Sequence, residues 1–341
     1  MSYFKHYKEF KCIHSTNPKI CRLATQLTID CKTNDQKARA IFEWMKKHIN
    51  FGQLKLFKHP YPRTSLEILE DLEGLCDELT ILFSSLALAA GLEVKWARLG
   101  RDRYGVKNDG HICSLYKGDD KNWHCVDATP YYAPFGFKID HKDFTAHSIE
   151  ELENQFRTWT EWVIQDAMYI GLPLAQLINA GPIYERAISE NKGKTKLVYA
   201  SLIPEHGEKG GEDCDASLIH FSARLYEVSE KEYRAYDKTP LELKIDYKIS
   251  PSSITAEFFF HEWDEATKKQ SLIFATDSWE KVPKDILNRY AEILKEVNRL
   301  KPFINKVLSE AKQVNAKRSR EKKLFNQQEI IEKVIKSRIA T

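Results

Sequence analysis

Apolar residues recur three and four apart at Ala38, Ile41, Phe42 and Met45, which predicts a helix opened by Asn34-Asp35. Lys46, Lys47 and His48 close it, where cations suit the helix dipole. Pro60 and Pro62 mark an irregular loop, and Thr64-Ser65 starts a short helix through Leu66, Ile68, Leu69 and Leu72 that Gly74 ends. From Asp77 to Ala90 the apolar positions Leu79, Leu82, Phe83, Leu86 and Ala90 again fall at helical spacing, with Gly91 as the stop. Val94 to Leu99 reads as a strand. His111–Tyr116 and Trp123–Asp127 read as two more, joined by the turn-rich segment Lys117 to Asn122.

Beyond Ser148 a helical stretch runs to Ala180, interrupted at Gly171-Leu172-Pro173. The period then changes to two. Leu241, Leu243, Ile245, Tyr247 and Ile249 alternate with Glu242, Lys244, Asp246 and Lys248, as in a half-buried antiparallel strand. Residues 196–203, 217–228, 254–263 and 271–275 look like its companions, about five strands in all. An apolar stripe from Ile286 to Leu308 marks a C-terminal helix that Pro302 should kink or end, and Ile330 to Ile335 a last short one. The expected class is α+β. The expected organisation is a first domain over 1–147, a helical connection over 148–195, a β-rich domain over 196–280 and C-terminal helices over 281–341.

Composition narrows the picture in three places. No apolar run reaches bilayer length, and the N-terminus lacks the apolar core of a secretory signal, so no membrane role is expected. The seven cysteines are odd in number and form no CxxC, which argues for reduced thiols and a cytoplasmic setting rather than a disulfide framework. The net charge of +3 is concentrated: residues 312–323 set six cations against Glu321, so the remainder is slightly acidic. That stretch reads as a solvated helix or a contact for an acidic partner. No phosphate loop or RNP-like motif supports nucleic-acid or nucleotide binding, and no cofactor is called for.

The chemistry points to Cys76. Gly74-Leu75-Cys76 puts a sulfur at the first turn of a helix, where the dipole favours a thiolate and a backbone N–H can meet an oxyanion. Such a nucleophile needs a base within reach and a group to orient the base. With residue 111 opposite 127 in the hairpin, His111 and Asp127 share a face, Cys113 pairs Cys125 and Leu115 meets Trp123. Cys76 as nucleophile, His111 as base and Asp127 as orienter complete the set, with Gln53 a candidate second oxyanion donor. Glu78 is expected to orient the helix start. Cys113 and Cys125 are expected in the core rather than on zinc, which would want a fuller ligand set, so no metal is assigned. Trp96 and Trp123 are expected in the core, and His124 on the surface or in packing.

Gly74-Leu75-Cys76-Asp77-Glu78, Leu86 to Val94, Gly110-His111-Ile112-Cys113 and Trp123 to Thr129, in this order, resemble the transglutaminase-like superfamily. The segment Asp35 to Met45 followed by His48-Ile49-Asn50-Phe51 is similar to that family's lead-in helix, and the likeness spans about residues 20–135. It implies a papain-like Cys–His–Asp core acting through an S-acyl intermediate. Cys113 stands where many members carry an aromatic residue, and the cysteine spacing of the zinc-bearing amidase branch is missing. The expected function is cysteine-dependent cleavage of a peptide or glutamine-type amide in a protein or peptide substrate. Protein-glutamine transamidation and a non-catalytic scaffold are the alternatives.

Overall fold

Asn17 opens α1 (Pro18–Thr28) by accepting the N–H of Lys19 on its side chain at 2.9 Å, and Pro18 supplies a first-turn residue that needs no N–H. The computed structural model describes residues 11–55, 58–59, 61–101, 108–129, 134–136, 142–206, 214–229 and 240–339. α2 (Asn34–His48) is capped by Thr33, one residue ahead of the expected Asn34-Asp35. Those two residues instead give their N–H groups to the Asp119 carboxylate, at 2.9 and 3.2 Å. An anion from a distant turn thus sits on the helix N-terminus, and these N–H bonds hold the Asp119 carboxyl below its usual range.

β1 (Asn50–Phe51) pairs in parallel with β2 (Glu73–Gly74), with Asn50 opposite Glu73 and Phe51 opposite Gly74. Between them α3 (Ser65–Asp71) begins with a reciprocal cap between Thr64 and Glu67. It ends at Leu72, whose φ of 56° turns the chain before Gly74 is reached. α4 (Cys76–Ala89) follows at once and stops at Gly91, φ 80°, as its sequence predicts. Unlike an amphipathic surface helix it is buried on every side from Asp77 to Ala87. Thr80 and Ser85 make this tolerable by donating their hydroxyls to the carbonyls of Cys76 and Ile81, each at 2.8 Å.

β3 (Val94–Arg101), β4 (Asn108–Lys117), β5 (Trp123–Val126) and β6 (Lys142–His147) form an antiparallel sheet in the order β5-β4-β3-β6. β6 is not among the strands that the sequence pattern predicts. The core packs Ile20, Phe42, Met45 and Ile68 with Leu82 and Phe83 of α4 and Trp96, Ile112 and Tyr116 of the sheet. Trp96 is buried as expected and donates its indole N–H to the Ser148 carbonyl at 2.8 Å. Trp123 is not in the core. It stands 37% exposed at the start of β5, with the Lys95 ammonium 4.6 Å above its ring.

The hairpin register differs from expectation. Ser114 faces Val126 and Leu115 faces Cys125, and Lys117 opposite Trp123 closes a loop of residues 118–122. The loop geometry sets this: Gly118 N–H meets the Asn122 carbonyl at 2.9 Å, Lys121 takes φ 66°, and Asp120 accepts the Asn122 N–H. A Cβ on Gly118 would lie 2.5 Å from the His124 ring, so a larger residue there would have to displace that imidazole. His124 faces the surface and contacts Asp120 at 2.8 Å.

α5 (Ile149–Ile170) and α6 (Leu172–Ala180) divide at Gly171, φ 93°. A second sheet runs in the order β12-β11-β10-β9-β8-β7. Its strands are β7 (Pro182–Asn191), β8 (Lys194–His206), β9 (Cys214–Ser229), β10 (Leu241–Ile249), β11 (Ile254–Asp264) and β12 (Lys269–Thr276). β7 is the strand that sequence periodicity missed, because only Ile183 of its ten residues is fully buried. Residues 182–191 are therefore sheet, not helical connection. After α7 (Lys284–Arg289), α8 (Ala291–Ile339) runs without a break through Pro302 and through the segment expected to form a separate last helix. Pro302 lies on the exposed side while Leu300, Phe303, Ile304 and Val307 keep the buried stripe in phase. The basic stretch continues this helix, with Lys317 3.8 Å from Glu321.

The chain divides into two compact units: residues 1–165 with 182–200 and 224–240, and residues 166–181 with 201–223 and 241–341. The architecture is α+β, with helices at the C-terminal end. Among the described residues no helix is long and apolar enough to cross a membrane.

Candidate active site

Cys76 is the first residue of α4, half-buried, with Leu75 in the capping position. Its placement comes from below. The Glu78 carboxylate accepts the Leu75 N–H at 3.0 Å, so the acidic residue two after the cysteine does orient the helix start. Arg63 in turn holds Glu78, donating from Nε at 2.9 Å, from Nη2 at 2.7 Å and from its backbone N–H at 2.9 Å. The same guanidinium reaches Asp71 at 3.1 Å, Glu73 at 3.2 Å and the Gly52 carbonyl at 3.3 Å. Arg63 is wholly buried, and three carboxylates around one cation raise its pKa further despite that burial. Sequence reasoning passed over Arg63. The acidic spacing Asp71, Glu73, Glu78 was visible, but nothing local says that an arginine beside two prolines is interior.

Asp77 lies on the buried side of the same turn, accepting the Glu78 N–H at 2.9 Å and the Tyr61 hydroxyl proton. Burial, with the neighbouring Glu78 charge, pushes its carboxyl up to about 6.

His111 and Asp127 meet at 2.6 Å through Nε2 and Oδ2, both almost fully buried. The observed register makes them diagonal rather than directly opposed neighbours, yet the shift from expectation is two positions, so both remain on one face. Thr129 fixes the other carboxylate oxygen by donating its backbone N–H to Oδ1 at 2.9 Å. Burial opposes the charged imidazole, but the Asp127 charge and hydrogen bond outweigh it, and a hydrogen bond with Cys76 adds to them. The His111 pKa rises to about 10. Burial likewise opposes the Asp127 anion, and the His111 charge and the bonds from His111 and Thr129 lower its pKa nonetheless. The imidazole is thus held by the Asp127 carboxylate, with the Cys76 side chain close enough to add to the shift. Cys76, Leu79, Thr80, Cys113, Ser114 and Asp127 contribute to the lining of one cavity.

Gln53 follows β1 and is fully buried. Its neighbour Gly52 gives its N–H to the Gly74 carbonyl at 3.1 Å, which sets Gln53 one strand away from the Cys76 turn. The Gln53 amide nitrogen donates to the Pro182 carbonyl, and its backbone N–H to the Ile183 carbonyl at 3.1 Å. The start of β7 therefore lies over the residue that sequence offered as an oxyanion donor. Gly52 permits the approach, since a Cβ there would lie 2.9 Å from the Ile183 carbonyl oxygen. Lys46 of α2 is half-buried, its pKa lowered to about 8 by desolvation against the pull of Asp127 and Glu185. Among the described residues no group of three or more His, Cys, Asp and Glu could hold a metal ion.

Residues 22–128 match the sequence model of the Transglutaminase-like superfamily, the family that the cysteine, histidine and aspartate segments resemble. Over those residues the chain is similar to the transglutaminase-like core. Among solved structures the chain is similar to a "Putative Cysteine Protease from Cytophaga hutchinsonii", with 18% identity, a TM-score of 0.31, and coverage of 41% of this chain and 48% of that one. It is also similar to a "putative protease from Parabacteroides distasonis", with 15% identity, a TM-score of 0.28, and coverage of 43% and 30%. The chain thus spans about half, and about a third, of those two proteins. No curated protein matches it in sequence.

Proposed function

We propose that the chain is a cysteine-dependent acyl-transfer enzyme that hydrolyses a peptide or glutamine-type amide in a protein or peptide substrate. The observation that carries this reading is the His111 ring, bonded to Asp127 at 2.6 Å and close to the Cys76 side chain at a helix tip. The Cys76 sulfur attacks the amide carbon, and the C–N bond breaks as His111 protonates the leaving amine. Water then attacks the thioester, gives a proton to the imidazole, and the acid leaves as the thiol is restored. The Cys76 N–H is among the first-turn donors that a helix leaves without an intrahelical partner, and it suits the oxyanion. Gln53 would serve as second donor once its amide leaves the Pro182 carbonyl.

Water is the favoured acceptor because Cys76 is only half-buried. An amine in its place would give transamidation with the same three residues. The described cysteines carry free thiols, which fits a cytoplasmic setting. An acidic partner for 312–323 remains the reading of that basic stretch.

A thiol-directed probe tests the proposal. Cys76 should label selectively at mildly acidic pH, and His111→Ala should abolish the selectivity. Labelling of Cys76 no faster than that of the other cysteines would instead favour a scaffold that retains only the fold. A quenched peptide library, run beside an amine donor with a glutamine protein, separates the acceptors: amine incorporation without hydrolysis overturns the hydrolytic assignment.

A further inference from the structure

Two thiols outside the proposed catalytic trio touch each other. The sulfurs of Cys113 on β4 and Cys125 on β5 lie 3.2 Å apart. Three other described thiols turn to oxygen instead: Cys12 to the Glu153 carboxylate, Cys21 to the Ser15 carbonyl and Cys31 to the Leu27 carbonyl. Diagonal neighbours in an antiparallel pair are farther apart than opposed ones, so a contact this close means that both side chains lean inward. We propose that Cys113 and Cys125 are an oxidisable pair that closes to a disulfide when the protein meets a low-molecular-weight disulfide such as oxidised glutathione.

The surroundings suit the reaction. Cys113 is buried and packs with Ala97, Leu99 and Leu115, whereas Cys125 is only partly buried and offers the point of entry. The Cys125 thiolate attacks one sulfur of oxidised glutathione and expels glutathione thiolate. Cys113, once deprotonated, attacks the Cys125 sulfur of the mixed disulfide and expels the second. The pair loses two electrons and two protons, and two molecules of reduced glutathione carry them away. Closure needs about 1 Å of approach, to the ~2.05 Å of an S–S bond. The contact with Cys125, with burial, pushes the Cys113 thiol up, which keeps the pair reduced until an oxidant engages Cys125. The bond would tie the two strands together two residues after His111 and two before Asp127, without using either residue.

The test uses the full chain treated with oxidised glutathione, quenched with an alkylating agent and digested with trypsin. Lys117 and Lys121 lie between the cysteines, so cleavage puts them in separate peptides that only a disulfide can join. The expected result is one joined species, two hydrogens lighter than the sum of its peptides and released by reductant. It should form equally in Cys76→Ala, which removes the competing thiol. Cys125→Ser, a near-isosteric change at the more exposed partner, should abolish it. Recovery of both peptides separately, whether alkylated or carrying glutathione, would overturn the proposal, as would a Cys113–Cys76 link in its place.

Discussion

Arg63 grips the Glu78 carboxylate with two parallel bonds, at 2.9 Å from Nε and 2.7 Å from Nη2, and Glu78 holds the residue before Cys76. The placement of the sulfur thus rests on a cation that never meets solvent. Replacing it strands Asp71, Glu73 and Glu78 as buried carboxylates. Arg63→Met should cost about 3–5 kcal/mol in urea unfolding, the scale for a buried charge left without its partner. Arg63→Lys keeps the charge but loses the planar fork, so it should also destabilise and should slow Cys76 alkylation.

Gly74→Ala probes the same device by crowding. A Cβ at this position lies 3.1 Å from the Glu78 Cβ and 3.5 Å from Ile68 Cγ2. Glu78 would have to shift away from Leu75 and Arg63. The expected loss is about 1–3 kcal/mol in chemical denaturation, the range for added volume in a packed interior. Cys76 alkylation should slow in the folded fraction. Alkylation and stability equal to the parent chain would show that the cap does not hold the sulfur.

Asp77 makes stability depend on pH in an unusual sense. Its folded pKa of about 6 lies above the ordinary carboxylate value, so its contribution is present at low pH and is lost as pH rises through about 6. Asp77→Asn should therefore raise stability near pH 8, by up to ~3 kcal/mol, and flatten the profile between about pH 4 and 6. Thermal unfolding of both proteins across that range is the check.

The His111–Asp127 pair sets two further limits, one alkaline and one acid. For His111, raised to about 10, the stabilisation is complete below its ordinary pKa of about 6.5 and disappears as pH climbs towards 10. For Asp127, lowered, the contribution is present above about 3.9 and is lost only at more acid pH. Asp127→Asn should remove the alkaline loss of stability between pH 6.5 and 10. It should also reduce amide cleavage by ~10²–10⁴-fold, the scale of general acid–base catalysis. Activity that survived with an unchanged alkaline limb would mean that His111 does not depend on this carboxylate.

Much of this molecule is written locally. The period of Leu79, Leu82, Phe83 and Leu86 specified the helix behind Cys76, and alternation along the hairpin specified that His111, Cys113, Cys125 and Asp127 share a face. Side-chain direction repeats every two residues in a strand, so a register error of two positions leaves each residue on its proper side. The register itself was settled by Gly118, Asp120 and Lys121, whose turn conformation no periodicity encodes. The interior placement of Arg63, the exposure of Trp123 and the run of β7 against Gln53 likewise depend on segments far apart in sequence. Burial and charge pairing are properties of what packs against a residue, and only the folded chain brings those partners together.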